Sequence, residues 1–216
     1  MNRPQLYLIP GMGADARLFS EIRKQGLDHQ VIEFIPPKHQ ESLADYGRRM
    51  AAHVDTSKPH SIGGVSLGGM VAMEVAKHTQ PHKIYLISSV KNQREFPFYF
   101  QLGRFLPIHR LFTQGMIRRM APRNPFPMAG SHREILNAMR EDMDPSFIKW
   151  ALNATVHWRN QEVPRNLIHI HGTRDLMFPP PLIGDHIKVK KGSHVMVLDQ
   201  AAQIVDIIRH HQSNSI

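Results

Sequence analysis

In Gly64-Val65-Ser66-Leu67-Gly68, a serine stands between two glycines, each two residues away. Serine is a weak nucleophile unless a base takes its proton and a third group orients that base. The setting suits that chemistry. The motif follows the apolar run Ile62–Val65 and precedes a helical pattern over 67–79, so Ser66 falls at a sharp strand-to-helix turn. Residues lacking side chains at 64 and 68 let strand and helix approach, and Gly63 and Gly69 relax the packing further. The hydroxyl is then expected above a sheet edge, at a helix N-terminus whose dipole favours negative charge.

The candidate base is His194, in Lys191-Gly192-Ser193-His194-Val195, and the candidate orienting acid is Asp175, in His171-Gly172-Thr173-Arg174-Asp175. Each follows its own predicted strand. All strand C-termini of a parallel sheet lie on one edge, so three such loops can converge. A tetrahedral intermediate also needs two backbone N–H donors aimed at its oxyanion. Leu67, directly after the serine, is expected to supply one. Met12 is expected to supply the other, because the glycines beside it in Pro10-Gly11-Met12-Gly13 let the backbone approach a substrate. That loop lacks the Lys-Ser/Thr of a phosphate loop and the full G-x-G-x-x-G pattern, which argues against nucleotide binding.

These residues need a scaffold, and the 216-residue chain is long enough for one domain with its own core. Hydrophobic residues make up 41% and charged residues 21%, a globular and not a disordered composition. The absence of cysteine excludes disulfides, thiolate metal sites and a cysteine nucleophile. No apolar run approaches the ~18 residues of a membrane span, and Leu6–Ile9 is too short for a signal-peptide core. A cytoplasmic location without stable membrane insertion is expected.

Short apolar runs bounded by turn residues occur at Leu6–Ile9, Val31–Ile35, Ile62–Val65, Ile84–Ile87, Leu167–Ile170 and, more weakly, Ile187–Val189. Helical patterns separate them, as a parallel sheet covered on both faces requires. Ser42 caps a stripe of Leu43, Tyr46, Met50 and Val54, and Ala201–Arg209 closes the chain with Ile204, Ile207 and Ile208 on one face.

Residues 91–160 break the alternation. Ser131-His132-Arg133-Glu134 reads as a capping box opening a helix to about Glu141, and Asp144-Pro145 opens another through Phe147, Ile148, Ala151, Leu152 and Thr155. The net charge is +9 and the pI about 10.1, with much of the excess at Lys91, Arg94, Arg104, Arg110, Arg118, Arg119 and Arg123. Phe96, Phe98, Tyr99, Phe100 and Phe105 fall in the same stretch and are expected to line a substrate pocket while the arginines face solvent. Nucleic-acid binding is therefore not expected. His169 and His171 alternate on one strand without an acidic partner at ligand spacing, so no metal is expected either.

Taken in order, Ile9-Pro10-Gly11-Met12-Gly13, the Ser66 motif with Gly69-Met70, His171-Gly172-Thr173-Arg174-Asp175 and Gly192-Ser193-His194 resemble the α/β-hydrolase superfamily. The resemblance implies an α/β fold with a doubly wound, mostly parallel sheet of about six strands. It implies a core over 1–90 and 161–216, and a helical cap over 91–160 inserted after the strand at 84–87. It also implies a Ser66–Asp175–His194 triad and no cofactor. Pro10 stands where the family often has histidine, and the sequence opens at the oxyanion strand without the family's first two strands. Serine at 66, rather than aspartate, argues against dehalogenase and epoxide-hydrolase chemistry. The expected activity is serine hydrolysis of a carboxylic ester or related small-molecule acyl substrate. A non-catalytic ligand-binding member, and C–C hydrolysis or perhydrolysis on the same triad, are the alternatives, and the oligomeric state is open.

Overall fold

The computed structural model describes residues 4–98, 100 and 132–213. Six strands form one sheet: β1 (Gln5–Ile9), β2 (Gln30–Val31), β3 (His60–Val65), β4 (Ile84–Ile87), β5 (Leu167–Gly172) and β6 (Ile187–Val189). Their order is β2-β1-β3-β4-β5-β6, and every pairing is parallel. The chain winds outward from β1 in one direction and, after returning through β3, in the other. Loops leaving the C-terminal ends of β1, β3, β5 and β6 therefore meet above the middle of the sheet.

Alternation along each strand divides the core between two faces. Tyr7, Ile9, Ile84 and Leu86 pack with α2 (Leu43–Met50) and α3 (Leu67–Thr79). Leu6, Leu8, Tyr85 and Ile87 pack on the other face with α1 (Ser20–Lys24) and the C-terminal helices described below. The unbroken apolar runs follow from this, since both faces of each inner strand are buried.

One strand is shorter than its sequence suggests. The apolar run Val31–Ile35 pairs with β1 only at Gln30–Val31, with Ile32 N–H donating to Leu8 O at 3.0 Å. Beyond that point its groups are engaged elsewhere. Tyr46 Oη donates to the Ile35 carbonyl at 2.7 Å, and the Phe34 ring packs 4.8 Å from that of Phe147. The helix starting after Ser42 also ends before Val54, at Met50, and a 3-10 turn over Ala51–His53 follows.

Between β4 and β5 the described chain contains α4 (Arg133–Glu141) and α5 (Pro145–His157). Asp144 caps α5 by accepting from Ser146 N–H, with Pro145 in the first turn where its missing N–H costs nothing. Two tryptophans fix α5 to the core side: Trp150 Nε1 donates to Glu41 O at 2.8 Å, and Trp158 Nε1 to Glu74 Oε1 at 2.7 Å. Asn160 Nδ2 donates to the carbonyls of Lys91 and Glu162, tying the two ends of this excursion together. Ser131, Tyr99, Phe105 and most of the basic stretch lie outside the described residues.

The chain closes with α6 (Met196–Asp199) and α7 (Ala201–Ser213). Among the described residues, no helix is long and apolar enough to cross a membrane.

Candidate active site

Ser66 occupies the turn between β3 and α3 with φ 54° and ψ −118°, a region that a residue bearing Cβ enters only under strain. The glycines around it make the turn possible. A Cβ on Gly64 would collide with the Gly68 carbonyl, and one on Gly68 would collide with the carbonyls of Ile9 and Pro10. The strain is held by main-chain bonds: Ser66 N–H donates to Ile87 O at 3.0 Å, and Ser66 O accepts from Gly69 N–H at 3.0 Å and Ser89 Oγ at 2.7 Å.

The acid and base loops pack against each other at Gly172 and Gly192, where a Cβ on Gly172 would strike the Gly192 carbonyl. Arg174 N–H donates to Gly192 O at 2.8 Å. Asp175 is buried, and its Oδ1 accepts from the N–H groups of Met177 at 2.9 Å and Phe178 at 3.0 Å. Asp175 Oδ2 lies 2.9 Å from His194 Nδ1, and His194 Nε2 lies 3.1 Å from Ser66 Oγ. An ionised carboxylate only accepts, so Nδ1 carries the imidazole proton and Nε2 presents its lone pair to the serine. That is the tautomer a general base needs.

The three expected triad residues are thus brought together. Beside them lies a cavity of about 340 Å³. Met12 and Leu67 are in its lining, and a Cβ on Gly11 would sit 3.7 Å from Ser66 Cβ, so the β1 loop lies directly against the elbow. The Leu67 N–H is in the first turn of α3, where helical N–H groups have no intrahelical acceptor. The aromatic residues of the 91–105 stretch divide. Phe100 lines the cavity, Phe96 is buried behind it with ring centroids 5.2 Å apart, and Phe98 is 78% exposed. Phe98 therefore does not stand in the cavity wall described here. Tyr99 and Phe105 lie outside the described residues.

Much of the lining comes from residues that no sequence pattern marks. Met143, Met177, Phe178 and Val195 contribute to it, as do Leu136 and Asn137 from α4. Ile148, Leu152 and Thr155 carried a signal, since their helical spacing on α5 marked an apolar face without saying what it covers.

The two β5 histidines are held by carbonyls. His169 Nε2 faces Ser89 O at 3.0 Å while its Nδ1 faces Lys91 Nζ at 3.4 Å, which requires the proton on Nε2. Lys91 in turn pairs with buried Glu95 at 2.7 Å. Among the described residues, no group of three or more histidine or acidic side chains is placed to hold a metal ion. Burial, assisted by the positive Lys91, pushes the His169 imidazole down to about 3.

That depression has a sign. The unfolded chain takes up a proton near the ordinary histidine value of about 6.5 that folded His169 refuses, so its contribution is complete above that value. It is lost as pH falls towards the folded value. From His169 alone, stability should drop by about 2 kcal/mol between pH ~8 and pH ~5. Denaturant unfolding across that range checks it. A His169→Gln variant should lose the corresponding slope, and an unchanged slope would assign the effect to other groups.

A family model described as the alpha/beta hydrolase family matches residues 6–207. No curated protein matches the sequence. Among solved structures, MenH from S. aureus is similar at 16% identity and TM-score 0.74, over 100% of this chain and 96% of that one. A thermophilic esterase from Thermogutta terrifontis is similar at 15% identity and TM-score 0.71, over 98% and 90%. A structure from a study of carboxylesterases of the thaumarchaeon Nitrososphaera gargenis is similar at 14% identity and TM-score 0.69, over 99% and 91%. At such identities the likeness is one of fold.

Proposed function

Since this chain belongs to the alpha/beta hydrolase family, we propose that it is a carboxylesterase-type serine hydrolase, cleaving a carboxylic ester or a related small-molecule acyl substrate. The observation that carries this reading is the hydrogen-bonded line from Asp175 Oδ2 through His194 to Ser66 Oγ, opening on an apolar cavity. Ser66 Oγ attacks the acyl carbon as His194 Nε2 takes its proton. Asp175 stabilises the imidazolium that results, and the Met12 and Leu67 N–H groups receive the oxyanion. The imidazolium then returns its proton to the departing alkoxide. His194 next draws a proton from water, which attacks the acyl-enzyme and frees the acid and Ser66. Residues 91–160 serve as a cap over this site, with α4 and α5 as part of its wall.

The cavity favours an aliphatic acyl group. Its lining is dominated by methionine, leucine, isoleucine and phenylalanine, and methionine fills irregular space around flexible chains. Each methylene transferred from water into such a site is worth about 0.8 kcal/mol, or roughly fourfold in kcat/KM. A series of chromogenic esters of increasing acyl length should therefore show a rise of about this factor per carbon until the cavity is full, then a decline. A flat series would remove the cavity from the reading. Failure of a fluorophosphonate to label Ser66 would remove the nucleophile.

A further inference from the structure

His171, near the end of β5, has a fully buried imidazole beside Asp175. His194 Nδ1 stands 2.9 Å from Asp175 Oδ2, and His171 Nε2 stands 3.6 Å from the same oxygen. The longer distance is not a hydrogen bond. His171 Nε2 instead donates to the Phe178 carbonyl at 2.9 Å. Because a carbonyl only accepts, Nε2 carries the proton, and buried Nδ1 has no hydrogen-bond partner among the described residues.

Phe178 is where this contact matters. Its N–H donates to Asp175 Oδ1, its ring stands edge-on to His194 with centroids 5.5 Å apart, and it lines the cavity. One residue thus touches the acid, the base and the substrate space. His171 holds its carbonyl.

Building on the triad proposed above, we infer that His171 is a positioning residue: as a neutral imidazole it fixes the acid loop through Phe178, leaving Asp175 Oδ2 and its charge to His194. The surroundings keep it neutral. Burial pushes its imidazole below the ordinary histidine range, against the attraction of Asp175. The rings of His169 and His186 pack beside it with centroids at 5.7 and 5.6 Å, and positive charge on His186 or His194 opposes another on His171. A cation at this place would compete with His194 for the same carboxylate oxygen.

The test compares His171→Gln, His171→Asn and His171→Leu on the full chain, with rates normalised to sites titrated by a fluorophosphonate. A glutamine amide reaches about as far as Nε2 and can donate to Phe178 O, an asparagine amide stops short, and leucine has no donor. The Gln variant should stay near wild type. The Asn and Leu variants should lose roughly tenfold to a hundredfold in kcat with little change in KM, because the displaced groups act on the chemical step. A purely structural role would lower the melting temperature and leave kcat per titrated site intact. Proton NMR supplies a readout that needs no turnover: the low-field His194 Nδ1–H resonance should persist in Gln and be lost or shifted in Asn and Leu. A wild-type protein that neither labels nor hydrolyses esters sinks the hydrolase reading, while the resonance still judges the brace. Asn and Leu variants with an unmoved resonance and wild-type kcat per site overturn the inference, as does a Gln variant no better than Leu.

Discussion

Ser66→Ala should abolish ester turnover, with a loss in kcat of about 10⁴ to 10⁶, and should abolish fluorophosphonate labelling with it. The size of the effect follows from what the side chain does. Its hydroxyl sits 3.1 Å from His194 Nε2, whereas the turn itself is held by the Ser66 main chain and by Gly64 and Gly68. Alanine keeps every one of those main-chain bonds, so the variant should fold and keep its cavity. It retains the Met12 and Leu67 N–H groups proposed as oxyanion donors and the cavity beside them, which should leave a small residual rate over water. Steady-state kinetics beside a thermal melt separates loss of chemistry from loss of fold. An alanine variant that hydrolyses esters at more than a few per cent of the wild-type rate would show that another residue is the nucleophile.

The sheet and the convergence of the three loops were legible in the sequence because each rests on a local rule. Uninterrupted apolar runs such as Ile84–Ile87 require burial on both faces, and Gly64 and Gly68 mark a turn that admits no other residue. What escaped is what only tertiary contact decides. Val31–Ile35 has strand composition, yet Phe34 and Ile35 leave the sheet because Phe147 and Tyr46 offer them an aromatic ring and a hydroxyl from elements distant in sequence. Phe96, Phe98 and Phe100 share one aromatic stretch, yet they lie behind the cavity wall, outside it and within it, respectively. Composition fixes how many rings are present and leaves their directions to packing. His169 and His171 looked alike as alternating residues of one strand. Their separate partners, Ser89 O and Phe178 O, belong to loops whose approach no spacing encodes.

Asp175→Asn should lower kcat by about 10⁴ while leaving the fold and the serine in place. The hydrogen-bond pattern dictates how. Asp175 Oδ1 accepts from two backbone N–H groups, those of Met177 and Phe178, and His194 Nδ1 lies across both oxygens, 2.9 Å from Oδ2 and 3.1 Å from Oδ1. An asparagine must give one of these positions an oxygen and the other an NH₂. Two N–H donors at the first position demand the oxygen, so the amide nitrogen is turned towards His194. It then donates to Nδ1 along the shorter of the two contacts, which favours Nδ1 as an acceptor over a proton kept for the oxygen at 3.1 Å. The imidazole proton moves to Nε2, and the nitrogen facing Ser66 Oγ can no longer accept one. Geometry survives and the base is lost. Glu95, the other acid near the end of β4, is engaged elsewhere: it is buried against Lys91 Nζ and accepts from the N–H groups of Lys91 and Gly184. Comparing kcat of the Asn variant with wild type, alongside the low-field Nδ1–H resonance, tests both halves of this. A variant with near wild-type turnover, or one in which that resonance persists, would mean that Asp175 is not what sets the tautomer of His194.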